Sequence, residues 1–151
     1  MNKETMNKEQ AGHKTITTLR KYHEIIKPGE EHKYKPYETK RMEGNALIGA
    51  GIDVLWNLVC GGGGTNYGSA NGNVEVYIVN AWNAGTLVGG YPTYGSGGAA
   101  VWKSSWTGVS GDGVWSKWAV TNGAQHLNEK TEALGTKSGG TWTLEVSITI
   151  T

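Results

Sequence analysis

Several features common in globular proteins are rare or missing from this sequence. It has no Phe, a single Cys and three Pro, and its net charge is only +1. One cysteine excludes an intrachain disulfide, so we expect Cys60 to be a buried thiol among its apolar neighbours, which suits assembly in a reducing cytoplasm. The small net charge does not favour a nucleic-acid-binding protein.

Long apolar segments are missing as well. No stretch approaches the ~20 apolar residues of a transmembrane helix, and the polar start, MNKETMNKEQ, has no signal-peptide core. We therefore predict a soluble protein that is not exported by the general secretory route. A length of 151 residues allows one domain with an appendage, because two complete cores are improbable at this size.

The residues that are present are distributed unevenly. Residues 1–43 contain 10 of the 14 Lys and Arg and 7 of the 13 Asp and Glu, a net charge of +3, whereas residues 44–151 have a net charge of −2. All seven Trp and 22 of the 24 Gly lie in residues 44–151. Because the first part has too little apolar surface to offset its ordering entropy, we predict an extended charged N-terminal arm (1–43) and a β-rich globular domain (44–151).

The arm contains isolated residues suited to contact a partner. It has three aromatic anchors that follow neither a helical nor a strand period: Tyr22, Tyr34 and Tyr37. Its basic residues, such as Arg20 and Lys21, alternate with acidic ones. A DNA-binding tail would be more one-sided in charge, so another protein is the expected partner. We predict that these five residues bind it.

One α-helix is predicted over about residues 45–60. Apolar residues recur at helical spacing on one face: Ile48, Ile52, Leu55 and Val59. Asn45 is the N-cap candidate, and the glycine run 61–64 ends the helix. Gly49 and Gly51 weaken a helix by roughly 1 kcal/mol each relative to Ala, a cost that close packing of the helix backbone on a sheet would explain.

The rest of the domain has the alternation of β-strands. In the last ten residues five apolar side chains alternate with polar ones, which predicts a strand with one buried face and one wet face. Similar patterns occur at 74–79, 100–106 and 114–120, and Asp112-Gly113 is a hairpin signal between the last two. The expected fold is mainly β, a single β-sandwich or jelly-roll-like domain with one helix.

No group of residues has the pattern of a catalytic, metal or cofactor site. The glycines at 61–64 follow a helix and lack the Lys of a phosphate loop, which favours a flexible loop. Three histidines lie in the arm and His126 in a late loop, none of them at zinc-ligand spacing. A two-carboxylate hydrolase pair could be drawn only from Asp112, Glu129, Glu132 and Glu145, and Glu145 lies on the predicted wet face of the last strand, where we expect it to be solvated. No serine lies in a nucleophile-elbow context, and His126 has no evident partner. We expect no enzyme activity and no cofactor.

The tryptophans leave three interpretations open. Trp102 and Trp106 have the same parity in one strand, whereas Trp115 and Trp118 have opposite parity in the next. Core packing, a protein–protein interface and an exposed aromatic platform for sugars are all compatible with this pattern.

Four stretches, taken in order, carry a resemblance to a known group of proteins. They are EGNALI (43–48) followed by GIDVLW (51–56), the turn Gly90-Tyr91-Pro92, WSKWAV (115–120) with Asn122-Gly123, and the closing GTK (135–137) with TWTL (141–144). In this order and spacing the chain resembles a diverse group of small tailed-bacteriophage virion proteins encoded among the head genes. The resemblance covers residues 43–151.

The resemblance implies a virion structural protein of the phage head, assembled in the host cytoplasm. Such a protein binds and stabilises the capsid as a decoration (cement) or minor capsid protein. Its expected partners are the major capsid protein or other virion subunits, contacted through the arm, and further copies of itself in a homo-oligomer or symmetric multi-copy assembly. Neither nucleic acid nor membrane is an expected partner. A head–tail connector, neck or tail component and a glycan-binding module on the virion surface are the alternatives.

Overall fold

A computed structural model describes residues 13–44, 46–94 and 98–150 of the chain. Within these ranges the protein has two antiparallel β-sheets and a single α-helix, which confirms the predicted mainly β, sandwich-like fold. The strands are β1 (His13–Tyr22), β2 (Glu38–Glu43), β3 (Ala46–Leu47), β4 (Asn73–Ile78), β5 (Ala81–Ala84), β6 (Thr86–Leu87), β7 (Thr93–Tyr94), β8 (Ala99–Thr107), β9 (Gly113–Thr121), β10 (His126–Lys137) and β11 (Thr141–Ile150). The helix is α1 (Gly49–Val59), and a short 3-10 helix spans Glu31–Lys33. No helix in the described ranges has the length and apolar character needed to cross a bilayer.

The two sheets share one core. In the described residues, sheet 1 has the order β2-β1-β11-β8-β6, with β7 also paired to β8, and sheet 2 has the order β3-β10-β9-β4-β5. Both contribute fully buried apolar side chains, among them Leu19, Trp106 and Leu144 from sheet 1 and Val76 and Trp118 from sheet 2. A sandwich of this kind follows from strands with one apolar face each, since the two faces must cover one another.

The predicted boundary between an arm and a domain at residues 43 and 44 is wrong for the described part of the arm. Strand β1 pairs with β11 along its whole length, from His13 opposite Ile150 to Tyr22 opposite Thr141. Leu19 is fully buried in the common core. Residues 13–43 therefore belong to the sandwich, because their backbone hydrogen bonds are made within it. Residues 1–12 of the predicted arm lie outside the described residues.

The connection between β1 and β2 covers the outer face of sheet 1. Thr141 lies on that face; its hydroxyl donates to the Glu24 carbonyl at 2.8 Å and accepts from the Ile26 amide at 2.9 Å. Ile26 is almost fully buried as a result. The polar face of the last strand was predicted to be wet from Thr143 onward, but Thr143 is fully buried.

Two details of the strand connections differ from the sequence-based expectation. A turn does contain Asp112-Gly113, but β8 lies in sheet 1 and β9 in sheet 2, so the turn crosses between sheets and closes no hairpin. The opposite parity of Trp115 and Trp118 does not bring either side chain to the surface. Both are fully buried, and the register of the β9–β10 pair shifts between Thr131 and Gly135, opposite Lys117 and Trp115.

Helix α1 begins later than predicted and ends as predicted. Ile48 occupies the N-cap without a side-chain hydrogen bond, while Asn45, the predicted cap, lies outside the described residues. At the other end the Gly62 amide donates to the Asn57 carbonyl at 2.7 Å, and Gly61 adopts a positive φ of 76°. This is a Schellman ending, in which a glycine takes the left-handed position.

The packing of α1 on sheet 2 explains one of its two helix glycines. A Cβ atom on Gly51 would collide with the His126 carbonyl oxygen and would lie 2.7 Å from the Leu127 Cα, whereas a Cβ on Gly49 would meet open space. The predicted close approach of helix and sheet is therefore confirmed at Gly51 alone. Cys60, predicted to be buried, is exposed, because it follows the last helical turn at the outer end of α1.

Candidate functional site

An apolar groove runs along helix α1 at one end of the sandwich. Its volume is about 440 Å³, and six apolar side chains line it: Leu47, Ile52, Leu55, Trp56, Val59 and Ile150. Leu47 comes from the edge strand of sheet 2 and Ile150 from the end of β11 in sheet 1. Leu47 and Leu55 also pack against the core, so the groove continues the hydrophobic interior to the surface.

Helix α1 itself is mostly uncovered. Only Gly51 among its residues is buried, and Asp53 is its single charged residue. Trp56 is 63% exposed and Val59 is 76% exposed. Periodicity placed Val59 on one helix face with Ile52 and Leu55; the three line the groove together, but Val59 is left exposed. An apolar helix with this exposure is unusual in a monomer, where apolar helices are normally buried.

A second, polar pocket lies on the outer face of sheet 1. Its volume is about 350 Å³. The β1–β2 connection and the sheet supply its walls: Arg20, Tyr22, Glu31, His32, Tyr34, Pro36, Lys103 and Glu145. Three of the five predicted partner-binding residues, Arg20, Tyr22 and Tyr34, are thus brought together here.

The charges of the polar pocket form two loose ion pairs. The Arg20 Nη1 atom lies 4.0 Å from the Glu145 Oε2 atom, and the Lys103 Nζ atom lies 3.9 Å from the Glu31 Oε2 atom. Sheet register places these groups together, because Glu145 stands directly opposite Lys103 on β8 and diagonally from Arg20 on β1. Sequence analysis missed Glu31 and Lys103, since nothing in their local pattern indicates that distant segments meet.

Burial also affects the tyrosines around the polar pocket. It raises the pKa of the Tyr22 phenol; the nearby Arg20 lowers that pKa by a smaller amount, and Glu31 raises it. Burial likewise raises the pKa of Tyr91, and Glu145 and Glu31 add to this effect while Arg20 opposes it. Both phenols therefore stay protonated at neutral pH and keep a hydrogen-bond donor.

The other two predicted partner-binding residues, Tyr37 and Lys21, contact the chain's own core. The Lys21 ammonium lies 4.2 Å from the Trp142 ring centroid and pairs with the Glu38 carboxylate at 2.5 Å. The Trp142 indole N–H donates to the Tyr37 hydroxyl at 3.2 Å. These contacts hold the chain at the start of β2 against β1 and β11.

The tryptophans divide into core and surface residues. Five are buried in the core: Trp102, Trp106, Trp115, Trp118 and Trp142. The Trp115 ring makes edge-to-face contacts with Trp106 and Trp142, each at a centroid distance of 4.9 Å. Core packing is therefore the main role of the tryptophans, with Trp56 and the half-buried Trp82 as the exceptions.

One histidine lies between two carboxylates on sheet 2. His126 begins strand β10, not a loop as predicted. Its Nδ1 atom is 2.8 Å from the Glu129 carboxylate and its Nε2 atom is 3.0 Å from the Glu75 carboxylate. The hydrogen bond to Glu75 raises the pKa of His126, burial lowers it, and Glu129 raises it further. Each ring nitrogen of His126 is thus hydrogen-bonded to a carboxylate, Glu75 on β4 and Glu129 on β10. We call these three residues the ionic clamp, because they link β4 to β10.

The clamp predicts that stability falls as the pH rises above about 6.5. The folded-state pKa of His126 lies above its ordinary value of 6.5, so the stabilisation is fully present below about pH 6.5 and is lost as the pH rises through the folded pKa. We expect urea denaturation to give a free energy of unfolding that decreases across this window. The variant His126→Gln should flatten the decrease, and His32→Gln, at an exposed position, should not. An unchanged slope in His126→Gln would contradict the clamp.

The remaining acidic residues considered for catalysis each have a separate basic partner. Asp112 pairs with the buried Lys137 at 2.9 Å, and its pKa is lowered by this hydrogen bond and by a second from the Gly139 amide. Glu132 lies 3.4 Å from Lys40. In the part of the chain that the structure describes, no three His, Cys, Asp or Glu side chains are grouped to hold a metal ion.

Comparison of the chain with protein-family models, with curated proteins and with solved structures gave no match.

Proposed function

We propose that this chain is a structural subunit of a tailed-phage particle and that it assembles with copies of itself through helix α1 and the apolar groove. The carrying observation is the exposed, almost uncharged helix beside a groove lined only by apolar side chains. Contiguous apolar surface of this kind favours a protein–protein contact, because leaving it in water is unfavourable.

A second copy is the occupant that this surface fits best. Trp56 and Val59 line the groove and stay largely exposed, so the same apolar surface is available to a partner. In a two-fold dimer each copy presents this one surface to the other, so that apolar side chains meet apolar side chains on both sides. Asp53 is the only charge on the helix, so two copies meet with little repulsion and need no oppositely charged partner.

The virion role is supported by the sequence resemblance over residues 43–151. The attachment surface in this proposal is the helix and not the arm, because residues 13–43 already pair within their own sheet. Binding through an interface that forms only in the assembly stabilises the assembled state by mass action. The proposal assigns no catalytic step to the chain.

Self-association is tested by Trp56→Asp. Truncating a tryptophan at the centre of an interface costs about 2 kcal/mol or more, which is about 30-fold in the dissociation constant. Light scattering coupled to size-exclusion chromatography should therefore show a multimer for the natural chain and a monomer for Trp56→Asp at the same concentration.

The matched control is Val109→Asp, which places the same charge on another exposed apolar residue, 86% exposed in the β8–β9 turn. It should leave the mass unchanged. A monomeric natural chain, or equal dissociation of both variants, would overturn the proposed interface.

The position in the particle is tested by electron cryo-microscopy of purified virions. Density for this fold repeated over the capsid lattice supports a decoration or minor capsid protein. Density only in a ring at the head–tail vertex supports a neck component instead. Absence of the chain from purified particles would refute the virion role altogether.

A further inference from the structure

We propose that the polar pocket binds one ring of a neutral saccharide. This inference is independent of the self-association proposed above, because the pocket lies on the outer face of sheet 1 and shares no lining residue with the apolar groove. It rests on the balance of charge, the unused hydrogen-bonding capacity and the walls of the pocket.

The pocket's charges select against a charged ligand. Arg20 and Lys103 contribute two positive groups, and Glu31 and Glu145 contribute two negative ones. An anion would be repelled by the carboxylates and a cation by the bases, so neither gains from the pocket as a whole. A purely apolar ligand is also disfavoured, because it would strip water from charged groups without replacing their hydrogen bonds.

Much of the hydrogen-bonding capacity of these groups is unused by the protein. At 4.0 and 3.9 Å the two ion pairs are too long to be hydrogen bonds. The Oε2 atom of Glu31 accepts from the Gly29 amide at 2.9 Å, whereas its buried Oε1 atom has no hydrogen-bond partner among the described residues. An unpaired buried acceptor costs about 1–3 kcal/mol. Because the Glu31 carboxylate is closed to solvent, the capacity open to a ligand is that of Arg20, Lys103 and Glu145. A ligand bearing several hydroxyl groups would satisfy these three groups, since each hydroxyl donates and accepts.

The walls suit a ring with an apolar face and a polar rim. Tyr34 and Pro36 from the connection and the edge of the nearly buried Tyr22 supply apolar surface, while Arg20, Lys103 and Glu145 project from the strands of sheet 1. The C–H face of a sugar ring packs against such surfaces while its hydroxyls point outward to polar groups. The protonated phenol of Tyr22 adds a further donor.

The size of the pocket limits the ligand to about one ring. Its volume of about 350 Å³ lies near the lower end of the range of about 300–1,000 Å³ typical of small-molecule pockets. The aromatic groups that define it are tyrosines. The sugar platform considered from sequence depended on exposed tryptophans and tyrosines, and five of the tryptophans are buried in the core.

The test uses saturation-transfer NMR on the full chain with free monosaccharides. The probes are the neutral sugars glucose, galactose, mannose and N-acetylglucosamine, with glucuronic acid and glucosamine as charged counterparts. We expect at least one neutral sugar to bind with a dissociation constant on the order of 1 mM, as befits a ligand of this size. Its charged counterparts should bind at least about tenfold more weakly.

Two pocket variants and one control locate the binding. Tyr34→Ala removes a half-exposed wall, and Glu145→Gln removes a charged acceptor; each should weaken binding about tenfold or more. Tyr94→Ala, at a tyrosine that is 90% exposed and outside the pocket, should bind as the natural chain does. Circular dichroism should show all three variants folded.

Three results would overturn the inference. They are no binding of any neutral sugar, equal binding by Tyr34→Ala and the natural chain, or stronger binding of a charged sugar than of its neutral counterpart. Binding of short peptides in place of sugars would assign the pocket to a protein partner and would also refute it.

Discussion

Deleting residues 1–43 is expected to abolish folding, whereas deleting residues 1–12 is expected to leave the sandwich intact. The longer deletion removes β1 and β2, and with them every backbone partner of β11 on that side. It also removes Leu19 from the core and uncovers the aromatic core around Trp142. The loss is comparable to the whole stability of a domain of this size, about 5–15 kcal/mol.

The two deletions are compared by urea denaturation and by the dispersion of amide NMR signals. The chain from residue 13 onward should unfold cooperatively with the same midpoint as the full chain. The chain from residue 44 onward should give no cooperative transition. A folded, soluble fragment of residues 44–151 would instead support the boundary between arm and domain that composition alone suggested.

Replacing Trp115 by Ala is expected to destabilise the protein by about 3–5 kcal/mol. Trp115 is fully buried between the two sheets, where its ring contacts both Trp106 and Trp142. Its indole N–H also donates to the Gly111 carbonyl at 2.7 Å, so the substitution leaves a cavity and an unpaired acceptor together.

The matched control for Trp115→Ala is Trp82→Ala. Trp82 lies half-buried on the edge strand β5, where it makes edge contacts with Tyr77 and His126. Aromatic pairs of this kind contribute about 0.5–1.5 kcal/mol, so a smaller loss is expected there. Urea denaturation of both variants gives the comparison. Equal losses in the two would show that the buried tryptophan cluster does not dominate the core.

Strands with an apolar inner face were predictable from the sequence, and strands with a polar one were not. Alternation identified β4 and β11 because their inward positions are valine, leucine, isoleucine or tryptophan. Strand β1 escaped detection because Thr15, Thr17 and Lys21 point inward and only Leu19 is apolar. The structure accommodates these residues through long-range contacts, such as the hydrogen bond from the Trp118 indole to the Thr17 hydroxyl. Local sequence does not contain such contacts.

The candidate sites were predictable to different degrees. The helix was found from its period, but its exposure depends on how much of the sheet lies beneath it, which local periodicity does not determine. Arg20, Tyr22 and Tyr34 were identified as partner-binding candidates, and the structure adds Lys103 and Glu145 from strands far away in sequence. High charge density marked residues 1–43 as unusual, yet Arg20 lies on the outer face of sheet 1, and Glu38, Lys40, Arg41 and Glu43 belong to the edge strand β2. Charged edge strands resist unwanted pairing with other chains.

The most direct test of the proposed assembly uses the single natural cysteine. Cys60 is exposed at the end of α1, next to Val59 of the apolar groove, and accepts a nitroxide label without any substitution. Double electron–electron resonance on the labelled chain should show a dipolar modulation with one defined distance, because a two-fold contact between helices places two labels at a fixed separation. The modulation should vanish in labelled Trp56→Asp. A natural chain that shows no modulation at concentrations where it is folded would contradict assembly through this helix.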